Sequence, residues 1–126
     1  MQQLNSAVTI SIIVPVYSGD EYLERLVNQI DSLRTRWEEG GVSLLISEAI
    51  FVLDSPIDSS RKVLENLTTE HAWMRLVDLS RNYGQHSATV AGILYSSGDW
   101  VVTLDEDLQH QPIQIESLLK KANSKN

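Results

Sequence analysis

The chain has no cysteine, which excludes a disulfide framework, a zinc-thiolate centre, an iron–sulfur cluster and a thiol nucleophile. Positive charge is scarce too. Ten Lys and Arg stand against seventeen Asp and Glu, for a net charge of −7, so most of the surface repels phosphate backbones and nucleic acid is not an expected partner. No apolar run approaches the ~20 residues that a membrane-spanning helix needs. The apolar stretch 10–17 follows no Lys or Arg, contains Pro15 and leads into Ser18-Gly19-Asp20, so it lacks the basic flank and cleavage pattern of a signal peptide. The expected location is cytoplasmic. Repeats and low-complexity tracts are absent as well. What remains is 126 residues, 42% apolar and 21% charged, the composition of one globular domain around one core.

Residues 9–17 are short, β-branched and nearly continuous in apolar character, as in a strand buried on both faces of a parallel sheet. From Asp20 the period changes. Tyr22, Leu23, Leu26, Val27, Ile30 and Leu33 recur at three- and four-residue steps, which predicts a helix that Gly40-Gly41 can stop. Residues 48–54 repeat the strand signal, followed by a helix with Val63, Leu64 and Leu67 on one face and Asp58 or Ser59 as its cap. A third strand is expected over 74–79, a third helix over 87–97 and a fourth strand over 100–105. Pro112 suits the first turn of a last helix, with Ile115, Leu118, Leu119 and Ala122 as its apolar face. Alternating strands and helices imply βαβ units and an α/β fold with a Rossmann-like, mostly parallel sheet. Such sheets bind ligands beyond the carboxyl ends of their strands.

Polar residues gather at those ends: Tyr17-Ser-Gly-Asp-Glu21, Asp54-Ser-Pro-Ile-Asp58, Ser80-Arg-Asn-Tyr-Gly84 and Asp105-Glu-Asp107. Three consecutive carboxylates repel one another, and a divalent cation relieves the repulsion. Mg²⁺ or Mn²⁺ suits all-oxygen ligands and is commonly held by one or two carboxylates plus substrate phosphates. A solvated acidic turn is the plainer reading of the same residues. Arg81 serves a phosphate or pairs with a nearby acid, on equal terms. His86, His110 and His71 carry no ligand signal, and Trp37, Trp73 and Trp100 read as packing residues. No Gly-x-x-x-x-Gly-Lys-Ser/Thr loop and no Gly-x-Gly-x-x-Gly follows a strand, against a nucleoside triphosphatase or a nicotinamide dehydrogenase. A receiver domain would need acids directly after the first strand and an Asp after the third; Asp20 is displaced and the third strand leads into Leu79-Ser80-Arg81.

The run Ile12-Ile-Val-Pro-Val-Tyr17, the turn Val52-Leu-Asp-Ser-Pro-Ile-Asp58, then Leu79-Ser-Arg-Asn-Tyr-Gly84, Ala91-Gly92, Gly98-Asp99 and Asp105-Glu-Asp-Leu-Gln-His-Gln-Pro112 occur in an informative order. From residue 9 to 119 the chain resembles inverting family 2 glycosyltransferases, above all their dolichyl- or undecaprenyl-phosphate sugar transferase branch. The resemblance implies the N-terminal half of a GT-A type fold, gripping a UDP- or GDP-linked sugar. Pro15, Tyr17 and Glu21 match the first nucleotide loop of that family, with Arg81 on the donor side. Asp54 matches the acid that pairs with the nucleobase or ribose. Asp105 and Asp107 match the outer acids of the metal motif, the first facing the nucleotide and the second holding Mg²⁺ or Mn²⁺ against the diphosphate.

The departures are Leu53 where the family usually has a first acid, Ser55-Pro56 for Gly-Ser, Ser18-Gly19 for Asn-Glu, Glu106 for a small residue and Gln111 for Pro. Family members run to about twice this length or more, so residues 1–126 read as one donor-binding domain truncated at its C-terminus, inactive alone. The implied acceptor is a polyprenyl phosphate or a glycan, as in building cell envelope polysaccharide, with a full-length form at the inner face of a membrane. Uncovered apolar surface would favour self-association. The rival reading is a non-catalytic nucleotide-binding or interaction module.

Overall fold

Strand-forming sequence and amphipathic helices alternate along the chain, and the structure resolves them into one sheet with helices on both faces. It is a computed structural model that describes residues 8–17, 21–54, 59–79, 85–104 and 112–117. The elements are β1 (Val8–Val16), α1 (Leu23–Glu39), β2 (Leu44–Leu53), α2 (Ser60–Thr68), β3 (Met74–Asp78), α3 (Gln85–Tyr95) and β4 (Trp100–Thr103), with a helical turn over 113–117. The strand order is β3-β2-β1-β4 and every neighbouring pair is parallel, as the alternating pattern predicts.

The side-chain period of two in β1 assigns the two faces of the sheet. Ile10, Ile12, Val14 and Val16 join Leu26 and Ile30 of α1 and Leu64 of α2 in the larger buried cluster. Ile13 joins Ile50, Val52 and Ala88 of α3 in the smaller one. The chain thus winds β1-β2-β3 over one face, then returns through α3 across the other face to set β4 on the far side of β1.

Gly92 lets α3 approach the sheet. A Cβ built there would lie 2.3 Å from Ile13 Cγ2 and 3.1 Å from Val52 Cγ2, and both neighbours are β-branched side chains with few alternative rotamers. Gly92→Ala is therefore expected to destabilise the chain by about 1–3 kcal/mol through overpacking, despite the better helix propensity of alanine. Urea denaturation checks this; a variant as stable as the parent would mean that α3 is not seated as described.

Several boundaries differ from the sequence expectation, for local reasons. β2 begins at Leu44 rather than 48, because Ser47 is an extra residue in the ladder: Ile10 pairs with Ile46, but Ser11 pairs with Glu48. This bulge breaks the alternation from which the strand's start would be read. α3 ends at Tyr95, two residues early, where Ser96 Oγ donates to Ile93 O at 2.6 Å; serine hydroxyls compete with the helical ladder in this way. Ser59 occupies the N-cap position of α2 without a side-chain capping bond. Its backbone (φ −86°, ψ 13°) lies outside the extended region from which a cap side chain reaches the first free N–H groups. Trp37 and Trp73 are core residues, whereas Trp100 is 38% exposed because it opens β4, an outermost strand of the sheet among the described residues. In the last helical turn Ile115 is buried; Leu118, Leu119 and Ala122 lie outside the described residues.

Candidate functional site

Strand order decides where a ligand can enter. β1 is followed through α1 by β2 on one side, whereas the chain returns from β3 through α3 to set β4 on its other side, so the carboxyl ends of β1 and β4 flank the crevice of a topological switch point. Pro15 pairs with Val52 and Val16 with Leu53 across the β1–β2 ladder. Immediately beyond, Asp54 N–H donates to Val16 O at 3.1 Å, which sets Asp54 beside the chain at Tyr17. Pro15 is buried, Tyr17 is 43% exposed and Asp54 only 2%. On the other flank Leu104 N–H donates to Ile13 O at 2.9 Å, so the chain is still held against β1 one residue before Asp105.

The structure thus brings Pro15, Tyr17 and Asp54 together at the β1 and β2 ends. Glu21 is exposed and lines a cleft of about 620 Å³ along α1 with Arg25, Gln29, Arg36 and Ile113; Tyr17 and Asp54 are not among its lining residues. Arg81, Asp105 and Asp107 lie outside the described residues, as do Asn82, Gly84, Glu106 and His110. Leu53 is 1% exposed within the α1/α2 cluster, so leucine at that position completes the core. At the end of β3, Asp78 accepts a two-pronged hydrogen bond from Arg61 of α2, the Nη2 arm at 2.9 Å. The Arg61 guanidinium holds the Asp78 carboxyl below its usual range. Both groups are half-exposed, and such pairs contribute little stability.

One polar centre has no counterpart in the sequence reading. Glu48 is 6% exposed inside the apolar β2. Its Oε2 accepts from Ser11 Oγ at 2.6 Å, from Ser97 N–H at 2.7 Å and from Ser97 Oγ at 3.2 Å, and its Oε1 accepts from Arg75 Nη1 at 2.8 Å. Burial opposes ionisation of the carboxyl, but these hydrogen bonds together outweigh it and hold the pKa below the usual glutamate range. The available signal was an acid within an apolar strand, since such a residue stays buried only when paired.

A depressed folded-state pKa contributes stability that is complete above the unfolded-state value and is lost as pH falls through the folded-state value. Wild type should therefore lose stability progressively below about pH 5. Glu48→Gln should be less stable than wild type at neutral pH and should lose less on acidification. Urea midpoints measured across that range check both signs; parallel acid limbs would separate Glu48 from acid sensitivity.

Residues 11–126 match the family described as Glycosyl transferase family 2. The chain belongs to glycosyl transferase family 2. This family 2 chain is 36% identical over 114 residues to the undecaprenyl-phosphate 4-deoxy-4-formamido-L-arabinose transferase of Klebsiella pneumoniae (strain 342), covering 90% of the chain and 33% of that protein. It is 38% identical over 117 residues to the transferase of the same name from Proteus mirabilis (strain HI4320), with the same coverage. The chain thus spans about a third of the length of these curated relatives.

Solved structures agree on the fold. Residues 1–349 of S. aureus TarS superpose with a TM-score of 0.68 at 18% identity, over 92% of this chain and 32% of that one. A mannosyltransferase from Pyrobaculum calidifontis, PcManGT, solved with GDP-Man and Mn²⁺, superposes with a TM-score of 0.63 at 21% identity, over 78% of this chain and 27% of that one. The parallel α/β sheet of this family 2 chain has the GT-A architecture.

Proposed function

We propose that residues 1–126 form the donor-binding part of a glycosyltransferase that moves a sugar from a nucleotide-diphosphate sugar to a polyprenyl phosphate. The observation that carries this reading is the strand order β3-β2-β1-β4, which sets the β1 end, with Tyr17 and neighbouring Asp54, beside the end of β4, where Asp105-Glu106-Asp107 follows in the chain. The lipid acceptor is supported by the relatives at 36–38% identity, which are undecaprenyl-phosphate sugar transferases. UDP- and GDP-linked donors are supported by structural relatives solved with UDP-GlcNAc and with GDP-Man. No helix among the described residues is long and apolar enough to cross a membrane; work at a membrane's inner face belongs to the proposal through the acceptor.

The described residues suit a nucleotide. Asp54, nearly enclosed between strand ends, is reached by a flat base or ribose edge more readily than by a hydrated diphosphate. Tyr17 offers a half-exposed ring at the mouth of the same crevice. Glu21 and Arg81 complete the donor side in this reading. The carboxylates of Asp105 and Asp107 are the hard oxygen donors that Mg²⁺ or Mn²⁺ prefers, and these two residues would hold the ion. When bound, the cation neutralises charge on the departing nucleoside diphosphate. A phosphate acceptor is already ionised, so the chain need not supply a general base to activate it.

Calorimetric titration with UDP and with GDP, each in manganese and in chelator, tests the reading. Binding of one nucleotide, stronger in manganese, is expected. Asp54→Ala should weaken that binding by about 1–3 kcal/mol, the worth of a hydrogen bond to a charged group, by the same amount in both media. Affinity unchanged by Asp54→Ala would remove Asp54 from the site.

A further inference from the structure

Strand β4 carries the approach to the metal motif, yet little in its own sequence fixes its register. It has four residues, among the described residues it is hydrogen-bonded to β1 alone, Trp100, Val101 and Thr103 are exposed, and on one face only half-buried Val102 and, just past the strand, Leu104 reach the main cluster. Register is specified strongly where a whole face of a strand is buried, and here that face offers two side chains, one of them half-buried. A slip by one residue would move the chain after Leu104 by about 3.3 Å and turn every side chain to the other face.

Polar contacts at the opposite end of the sheet make up for this. The α3–β4 connection is Ser96-Ser97-Gly98-Asp99. Ser97 N–H and Oγ both donate to Glu48 Oε2. Gly98 N–H donates to Ser11 Oγ at 2.8 Å, and that hydroxyl donates onward to Glu48. Asp99 exchanges bonds with Thr9: its Oδ2 accepts from Thr9 N–H at 3.0 Å, and its own N–H donates to Thr9 Oγ1 at 3.0 Å. Arg75 of β3 joins Glu48 Oε1 to Tyr95 O, the last residue of α3, at 3.1 Å. The connection lies so close to β1 that a Cβ on Gly98 would come within 2.7 Å of Ser11 N and Oγ. The Ser47 bulge turns Glu48 toward the α3 face beside Ser11; without it Ser11 would stand opposite Ser47.

We propose that Glu48 is a positioning residue of the donor site: through Ser11, Ser97 and Gly98 it locks β4 in register on β1 and so fixes where the chain leaves the sheet after Leu104. The role of this register in binding rests on the reading of Asp105 and Asp107 given above. Glu48 lies away from the carboxyl ends of the strands; it acts from the amino-terminal side of the sheet on the carboxyl-terminal edge through one short strand.

Hydrogen exchange and nucleotide titration on the full chain test this together. In Glu48→Gln the amide of one carboxamide arm faces donors where an oxygen accepted, so part of the network must open. Exchange of the amides of 101–104, with Leu104 N–H as reporter, is expected to accelerate roughly tenfold more than that of the β2–β3 ladder, a local opening rather than a global one. UDP and GDP titrations should show the manganese-dependent gain in affinity reduced about tenfold or more, the scale seen when the support of a metal ligand is removed, with affinity in EDTA nearly unchanged. Leu67→Ala, which removes buried packing under α2, is the control: it should speed exchange uniformly and leave the manganese gain intact. Should Glu48→Gln fail to fold, Ser11→Ala and Gly98→Ala carry the same readouts. Uniform exchange in all these variants, or a full manganese gain with the network broken, overturns the positioning role. A wild-type chain that binds neither nucleotide better in manganese than in EDTA overturns the reading of the metal motif and the link from Glu48 to it, while the exchange pattern separately decides the β4 register.

Discussion

Asp107→Asn is expected to remove most of the manganese-dependent affinity for a nucleoside diphosphate while leaving affinity in chelator within about twofold, a difference too small to signify a lost hydrogen bond. The substitution keeps size and shape but takes away an anionic oxygen ligand. Removal even of groups that merely support a metal ligand costs roughly 10–100-fold in metal affinity, so loss of a direct ligand should fall at the upper end of that range or beyond it. Asp54→Ala makes the contrast, since it should act equally with and without metal. Calorimetry of both variants in both media separates a metal ligand from a nucleoside contact. Equal losses for Asp107→Asn in manganese and chelator would take that residue away from the ion.

The largest stability effect is expected at Trp37. Its ring, 1% exposed on the last turns of α1, packs in the main cluster with Leu33 and Ile30. Its indole Nε1–H donates to Glu116 Oε1 at 2.7 Å, which ties α1 to the helical turn that follows the metal motif. Trp37→Ala leaves a cavity and removes one of the donors to Glu116, which Arg36 also reaches, and should cost about 3–5 kcal/mol. That is a large part of the ~6–19 kcal/mol expected for a chain of this size. Trp37→Phe keeps most of the apolar volume and loses the donor, so its cost should lie near 1–3 kcal/mol. Urea unfolding followed by far-ultraviolet circular dichroism ranks the three proteins. An alanine variant within about 1 kcal/mol of wild type would contradict the burial of this ring, since core truncations of this size cost several times that.

The sequence and the structure meet most closely where a local pattern carries the information. Residues 9–17 and 48–54 could be read as buried strands because β-branched runs of that length suit little else, and the α1 stripe from Leu23 to Leu33 follows the helical period. The stop after α1 was equally legible, since Gly41 adopts a φ of +64° that side chains avoid. Local pattern misleads where a tertiary partner intervenes. Ser96 and Ser97 look like a continuation of α3, but their hydroxyls serve Ile93 O and Glu48. Leu53 looks like a lost nucleotide contact, yet it is a core residue whose neighbour Asp54 stands at the crevice.

The sequence by itself determined the α/β class, the parallel sheet, the family and the candidate donor residues, because periodicity and motif order are properties of neighbours along the chain. Only the tertiary structure decided that β4 lies beside β1 rather than beyond β3, and that Glu48 finds Ser11, Arg75 and Ser97. Those contacts join residues 27 to 49 positions apart. No local signal encodes them: a buried carboxylate is stabilised by whichever donors the packed strands and loops bring to it, and which donors those are is fixed only when the sheet has closed.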